Sequence, residues 1–183
     1  MHNRAMRTPY FRAVCLSALA LLAGFAAMAL GAQEPPTVPK EIAAPDGEHV
    51  LLRVHAKGDQ VYVCQQGVSL SAWRLKQPDA LLFDKEGKLV GKHLAGPSWE
   101  LQDGSRVKGD PEAKVDSPER NAIPWLRLKV LEHAGNGALA PVTTIQRINT
   151  KGGAAPLSGC DEARGGKELR VPYEADYVFY APK

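Results

Sequence analysis

Five side chains combine a polar or cationic group with a setting suited to ligand contact. His93 and Trp99 fall within Gly91-Lys92-His93-Leu94-Ala95-Gly96-Pro97-Ser98-Trp99, and Arg147 and Asn149 within Ile145-Gln146-Arg147-Ile148-Asn149-Thr150-Lys151-Gly152-Gly153. Trp125 stands beside Arg127 and Lys129, on the strand face away from Leu126 and Leu128. Glycine lets backbone approach a ligand or another strand closely, so these pieces describe a shallow polar site with an aromatic floor. The competing explanation is that the same polar groups are buried and satisfy loop backbone.

A second chemistry uses His93 with Glu100 or Asp103 as a proton-transfer pair, for example in glycan hydrolysis. Against it, alternation places Glu100 opposite Trp99, and Asp103-Gly104 is already explained as a turn. Gly135-Asn136-Gly137-Ala138-Leu139-Ala140 matches G-x-G-x-x-A, yet Pro141, Val142, Thr143 and Thr144 follow where a dinucleotide site needs a helix N-terminus. His49 and His55 share a strand face about 20 Å apart, too far for one ion. No H-E-x-x-H, C-x-x-C or G-x-S-x-G occurs. The sequence therefore assigns no catalytic residue, metal or cofactor.

The elements that must carry these residues begin after a leader. Arg4, Arg7 and Arg12 precede an apolar run from Ala13 to Leu30, with Gly31 and Ala32 next, which is the pattern of a cleavable export signal over 1–32. Cys15 lies at the start of that run, where a lipid-acceptor cysteine would lie after it. The chain has 23 Lys+Arg against 20 Asp+Glu, and without the three leader arginines the remainder has 20 of each. A neutral folded part gives no support to a nucleic-acid or acidic-membrane partner. Residues 33–45, with Pro35, Pro36, Pro39 and Pro45, are expected to form an extended tether or edge segment. Residues 46–183 then form one domain.

Within that domain the grammar is that of strands. Val50, Leu52 and Val54 alternate, Lys57-Gly58-Asp59 is expected to turn the chain, and Val61 and Val63 follow. Asp84-Lys85-Glu86-Gly87 separates Ala80–Phe83 from Lys88–Val90. A three-residue loop from Asp103 to Ser105 would set Leu101 opposite Val107. Further strands are expected over Leu126–Leu131, Val142–Ile148 and Tyr173–Tyr180, although Trp125–His133 also suits a helix ending at Gly135. The class is all-β, an antiparallel sandwich or barrel with long loops. Cys64 and Cys160, the cysteines left after the leader, are expected to pair in an oxidising compartment.

Several stretches, in order, resemble a known family. They include Gln60-Val61-Tyr62-Val63-Cys64, Gly91-Lys92-His93, Gly96-Pro97-Ser98-Trp99, Thr144-Ile145-Gln146-Arg147 and Tyr173-Glu174-Ala175-Asp176-Tyr177. The chain is similar over about Pro39 to Ala181 to the exported family catalogued as domain of unknown function 3455. The resemblance implies an exported protein and supplies no established activity, cofactor or catalytic residue. Some relatives carry a malate-dehydrogenase label, which the residues around Gly135 do not support. The resulting expectation is a non-catalytic binding or interaction module in the periplasm or outside the cell. Its partner would be a polar ligand, a glycan or an envelope protein, with no nucleic acid and no membrane once the leader is removed. The alternative is a secreted hydrolase using His93 with Glu100 or Asp103.

Overall fold

The computed structural model describes residues 33–68 and 70–183, so the export-signal reading of 1–32 lies outside the described residues. Eight antiparallel strands form a closed barrel in which each strand pairs with its neighbours in sequence and β8 returns to β1. They are β1 (Glu48–Gln65), β2 (Ala72–Phe83), β3 (Leu89–Leu94), β4 (Ser98–Leu101), β5 (Arg106–Val115), β6 (Trp125–Ala134), β7 (Thr144–Gly152) and β8 (Glu168–Pro182). Of the two all-β arrangements the sequence leaves open, the chain adopts the barrel. Trp125–His133, ambiguous between helix and strand, is strand. Among the described residues no helix is long and apolar enough to cross a membrane.

Alternation fills the interior. Val54 and Ala56 of β1, Ala80 and Leu82 of β2, Trp99 and Leu101 of β4, and Tyr173, Ala175, Tyr177 and Phe179 of β8 all belong to one buried cluster. The indole of Trp99 meets Tyr177 edge-on at 5.2 Å and Phe179 at 6.1 Å, arrangements that aromatic quadrupoles favour. Gly109 of β5 makes room for that indole, since a Cβ there would lie 3.3 Å from its ring.

Three local expectations are corrected. The chain does not turn at Lys57–Asp59; β1 runs straight through, and its 18 residues pair with both β2 and β8. Gly58 serves close approach instead of a turn, because a Cβ there would lie 2.2 Å from the Asp79 carbonyl and 2.7 Å from the Ala80 Cβ. Val50 does not share a face with Leu52 and Val54, because a register shift between Val50 and Leu52 puts Val50 in a separate cluster outside the barrel. The β4–β5 turn is one residue earlier than expected: Trp99 pairs with Val107 and Glu100 with Arg106. Leu101 N–H donates to the Ser105 carbonyl, so the loop is 102–104, and Leu101 and Val107 still point inward.

The proline-rich segment is docked. After a single 3-10 turn at Lys40–Ile42, Ile42 is completely buried with Val50, Ile148, Val178 and Tyr180 on the outer surface of the barrel. Gln146 explains why the segment stays: its Nε2 donates to the Ile42 carbonyl at 2.6 Å, and its Oε1 accepts from the Tyr180 hydroxyl at 2.5 Å. Burial pushes the Tyr180 hydroxyl up to about 12. A disulfide joins Cys64 to Cys160 across 96 residues, tying the end of β1 to the β7–β8 loop with Cα atoms 5.3 Å apart. In the chain-entropy account a loop of that length contributes about 4 to 5 kcal/mol.

Candidate functional site

The hairpin of β3 and β4 is short, with six and four residues against twelve in β2 and ten in β5. β2 meets β3 only from Ala80 onward, and the β3–β4 hairpin meets β5 only up to Gly109, whose N–H donates to the Pro97 carbonyl. The wall is therefore low between β2 and β5. A cavity of about 300 Å³ opens there, bounded by Leu75 to Pro78 on one flank and Pro111 on the other. That volume is at the small end of the range for small-molecule pockets, roughly 300 to 1,000 Å³.

Strand pairing assembles the floor. His93 lies directly across the hairpin from Trp99, and their rings stack with centroids 4.4 Å apart and planes 5° apart. Tyr177 meets the imidazole edge-on at 5.0 Å. The Nδ1 of His93 is 2.9 Å from the Ser98 carbonyl. A carbonyl only accepts, so Nδ1 carries the proton and Nε2 keeps its lone pair. Complete burial, opposed by that hydrogen bond and reinforced by the charge of Arg147, lowers the imidazole to about 3, so it is neutral at ordinary pH.

Arg147 reaches the same cavity from β7, donating Nε and Nη2 to the Pro124 carbonyl at 3.1 and 2.8 Å. Its charge acts on Tyr62, Tyr177 and Tyr173, whose hydroxyls burial pushes upward while Arg147 opposes the shift. Tyr62 donates to the Gly153 carbonyl at 2.6 Å. Two residues that line the cavity are different: Gln60 Nε2 and Trp99 Nε1 are buried and have no hydrogen-bond partner, whereas the buried Tyr177 hydroxyl has the Tyr173 hydroxyl and the Arg147 guanidinium beside it. Each residue is about 1% exposed. Leaving a buried polar group unpaired costs about 1 to 3 kcal/mol.

Of the five residues singled out by sequence, the fold brings His93, Trp99 and Arg147 to one cavity. Trp125 and Asn149 are elsewhere. Trp125 packs outside the barrel with Ile42, Ala113 and Val115, because on β6 it is Leu126 and Leu128 that face the cavity. Asn149 sits at the irregularity between Ile148 and Lys151 with φ of 52°, and its Nδ2 donates to Asp176 at 2.8 Å on the exposed surface. Gln60 and Tyr177 were missed as site residues. Gln60 was hidden by the turn expected at Lys57–Asp59; strand parity carried through Ala56 and Gly58 points it inward.

The proton-transfer pair is not assembled. Glu100 pairs across the hairpin with Lys92 on the outer face. Asp103 is at the opposite end of the barrel, where its Oδ2 accepts from Ala138 N–H at 2.7 Å and its Oδ1 from the hydroxyl and N–H of Ser105 at 2.6 and 2.9 Å. Those bonds, led by Ala138, lower its carboxyl below the usual value. The Ser105 hydroxyl in turn accepts from Leu139 N–H at 3.1 Å. The glycine motif from Gly135 to Ala140 is thus part of a plug that seats the fully buried Leu139 and Val142, with no helix after it. Among the described residues no group of three His, Cys, Asp or Glu is placed to hold a metal.

Neither a curated protein nor a solved structure matches the chain. A family profile does, over residues 45–181, from the segment before β1 to the end of β8, and it takes in every residue that lines the cavity. The chain belongs to the family described as protein of unknown function DUF3455.

Proposed function

We propose that this protein is an exported, non-catalytic binding module that holds a small polar ligand in the open flank of its barrel. The observation that carries the reading is the pair of buried, unpartnered groups on Gln60 and Trp99, residues that line one cavity with walls of Leu126 and Leu128. A cavity that is mostly apolar with a few convergent polar groups is the usual form of a small-molecule site. Binding without turnover fits the isolation of His93, whose bonded nitrogen is held by a backbone carbonyl and whose expected carboxylates point elsewhere. Export is supported by the arginine-led apolar leader and by the Cys64–Cys160 disulfide, which suits an oxidising compartment.

The test is native mass spectrometry of the protein recovered from its own cell envelope, beside a Leu126→Trp variant that fills the opening. The expected result is a small molecule retained by the parent protein and absent from the variant. Equal retention by both, or none by either, overturns the reading.

A further inference from the structure

The charges around the cavity are one-sided. Its lining contains Lys76 and Arg147 and no Asp or Glu. Lys76 is already committed to an ion pair with Glu168. Arg147 has no such partner: among the described residues its guanidinium takes part in no ion pair within 4.0 Å, and the protein groups beside it, the Pro124 carbonyl that it donates to and the Tyr177 hydroxyl, are neutral. A guanidinium has five N–H donors, so two bonds leave three for something else.

The surroundings do not neutralise that cation. His93 is uncharged, and the tyrosines near Arg147 hold their protons more tightly than usual because of burial. A partly buried charge without a counter-ion is costly, and a carboxylate matches the planar fork of arginine. Gln60 and Trp99, which also line the cavity, carry unpartnered donors in Nε2 and Nε1, so the donors near Arg147 suit an acceptor-rich ligand. The remaining walls, including Leu75, Pro78, Pro111, Leu126 and Leu128, are apolar and leave room for little more than one ring or a short chain.

We infer that the ligand is a small monocarboxylate with an apolar body, its carboxylate on Arg147 and its body between the leucine and proline walls. This rests on the binding reading above and adds the charge, number and size of the ligand. One unpaired cation matches one negative charge, so di- and triacids fit worse than monoacids.

The experiment is calorimetric titration of the oxidised full chain at pH 7.5 and low salt with benzoate, hexanoate and indole-3-acetate, each beside its uncharged carboxamide. At least one acid is expected to bind ten-fold or more tightly than its amide, with the difference shrinking as salt is raised. Arg147→Met should remove the preference for the acid while Arg147→Lys keeps most of it. The acid-against-amide comparison in the parent protein stands even if Arg147→Met fails to fold. Equal binding of acid and amide, or tighter binding of the amide, overturns the monocarboxylate assignment and leaves the binding reading standing. No binding of any probe overturns this assignment, and the binding reading is then decided by the envelope-recovered protein.

Discussion

The two ends of the barrel solve the same problem in opposite ways. At the plugged end the β6–β7 loop drops Leu139 and Val142 into the core, and the polar groups it brings are matched: Asp103 takes Ala138 N–H, Ser105 takes Leu139 N–H, and His133 Nε2 lies 2.7 Å from the Val142 carbonyl. At the open flank, Gln60 and Trp99 line a cavity and carry buried polar atoms without partners of their own. Protein interiors ordinarily satisfy such groups. The contrast is local to the plug loop and the cavity, since other buried atoms, Glu48 Oε2 beside Thr143 among them, are also without a partner. The carboxylates follow the same division, since Asp103 serves the plug while the cavity has none.

Acid should separate the ends most strongly. The folded-state value of His93, about 3, lies below its ordinary 6.5, so the unfolded chain binds the extra proton. The stability tied to the neutral imidazole is complete above pH 6.5 and declines as pH falls toward 3, by up to about 5 kcal/mol across the window. Asp103 also has a lowered value, but its contribution is complete above the ordinary carboxylate range and is lost only below it. Urea midpoints measured from pH 7 to pH 4 should fall less steeply in His93→Phe than in the parent protein. Parallel slopes would mean that the open flank does not hold a neutral buried imidazole.

The next effect belongs to the plug. Leu139→Ala should cost about 2 to 5 kcal/mol, since Leu139 is completely buried within the main core cluster. Denaturant unfolding with an unchanged m-value is the check, and a loss below 1 kcal/mol would show the plug to be peripheral. The smallest effect belongs to the cavity: Gln60→Leu should leave stability unchanged or raise it by up to about 1 to 3 kcal/mol, because the amide Nε2 it removes is buried without a partner. The same substitution should weaken ligand binding several-fold. A large loss of stability would assign Gln60 to the structural end of the comparison.

The sequence carried the strand faces better than the strand ends. The alternation of Tyr173, Ala175, Tyr177 and Phe179 is plain, and it is the inner face of β8. His93 and Trp99 meet because a tight hairpin makes them cross-strand partners, a relation that follows once Gly96-Pro97 is read as the turn. Lys57-Gly58-Asp59 misled because turn composition and the needs of two backbones in close approach both select glycine. The irregularities at Val50–Leu52 and Ile148–Lys151 left no signal in hydrophobic pattern, and each moved a residue, Val50 or Asn149, away from its expected place. Residues 33–45 read as an extended tether, and neither the 3-10 turn at Lys40–Ile42 nor the docking was legible, because the receptor for Ile42 comes from Ile148, Val178 and Tyr180, more than a hundred residues away.

The low wall between β2 and β5 also has a consequence for how the protein behaves at high concentration. Beyond the β3–β4 hairpin, both flanking strands run on with one side free, a template on which a stray chain could extend the sheet. Pro78 and Pro111 sit in these free stretches, and neither has an N–H to offer an incoming strand. The low wall is thereby guarded against self-association through strand addition.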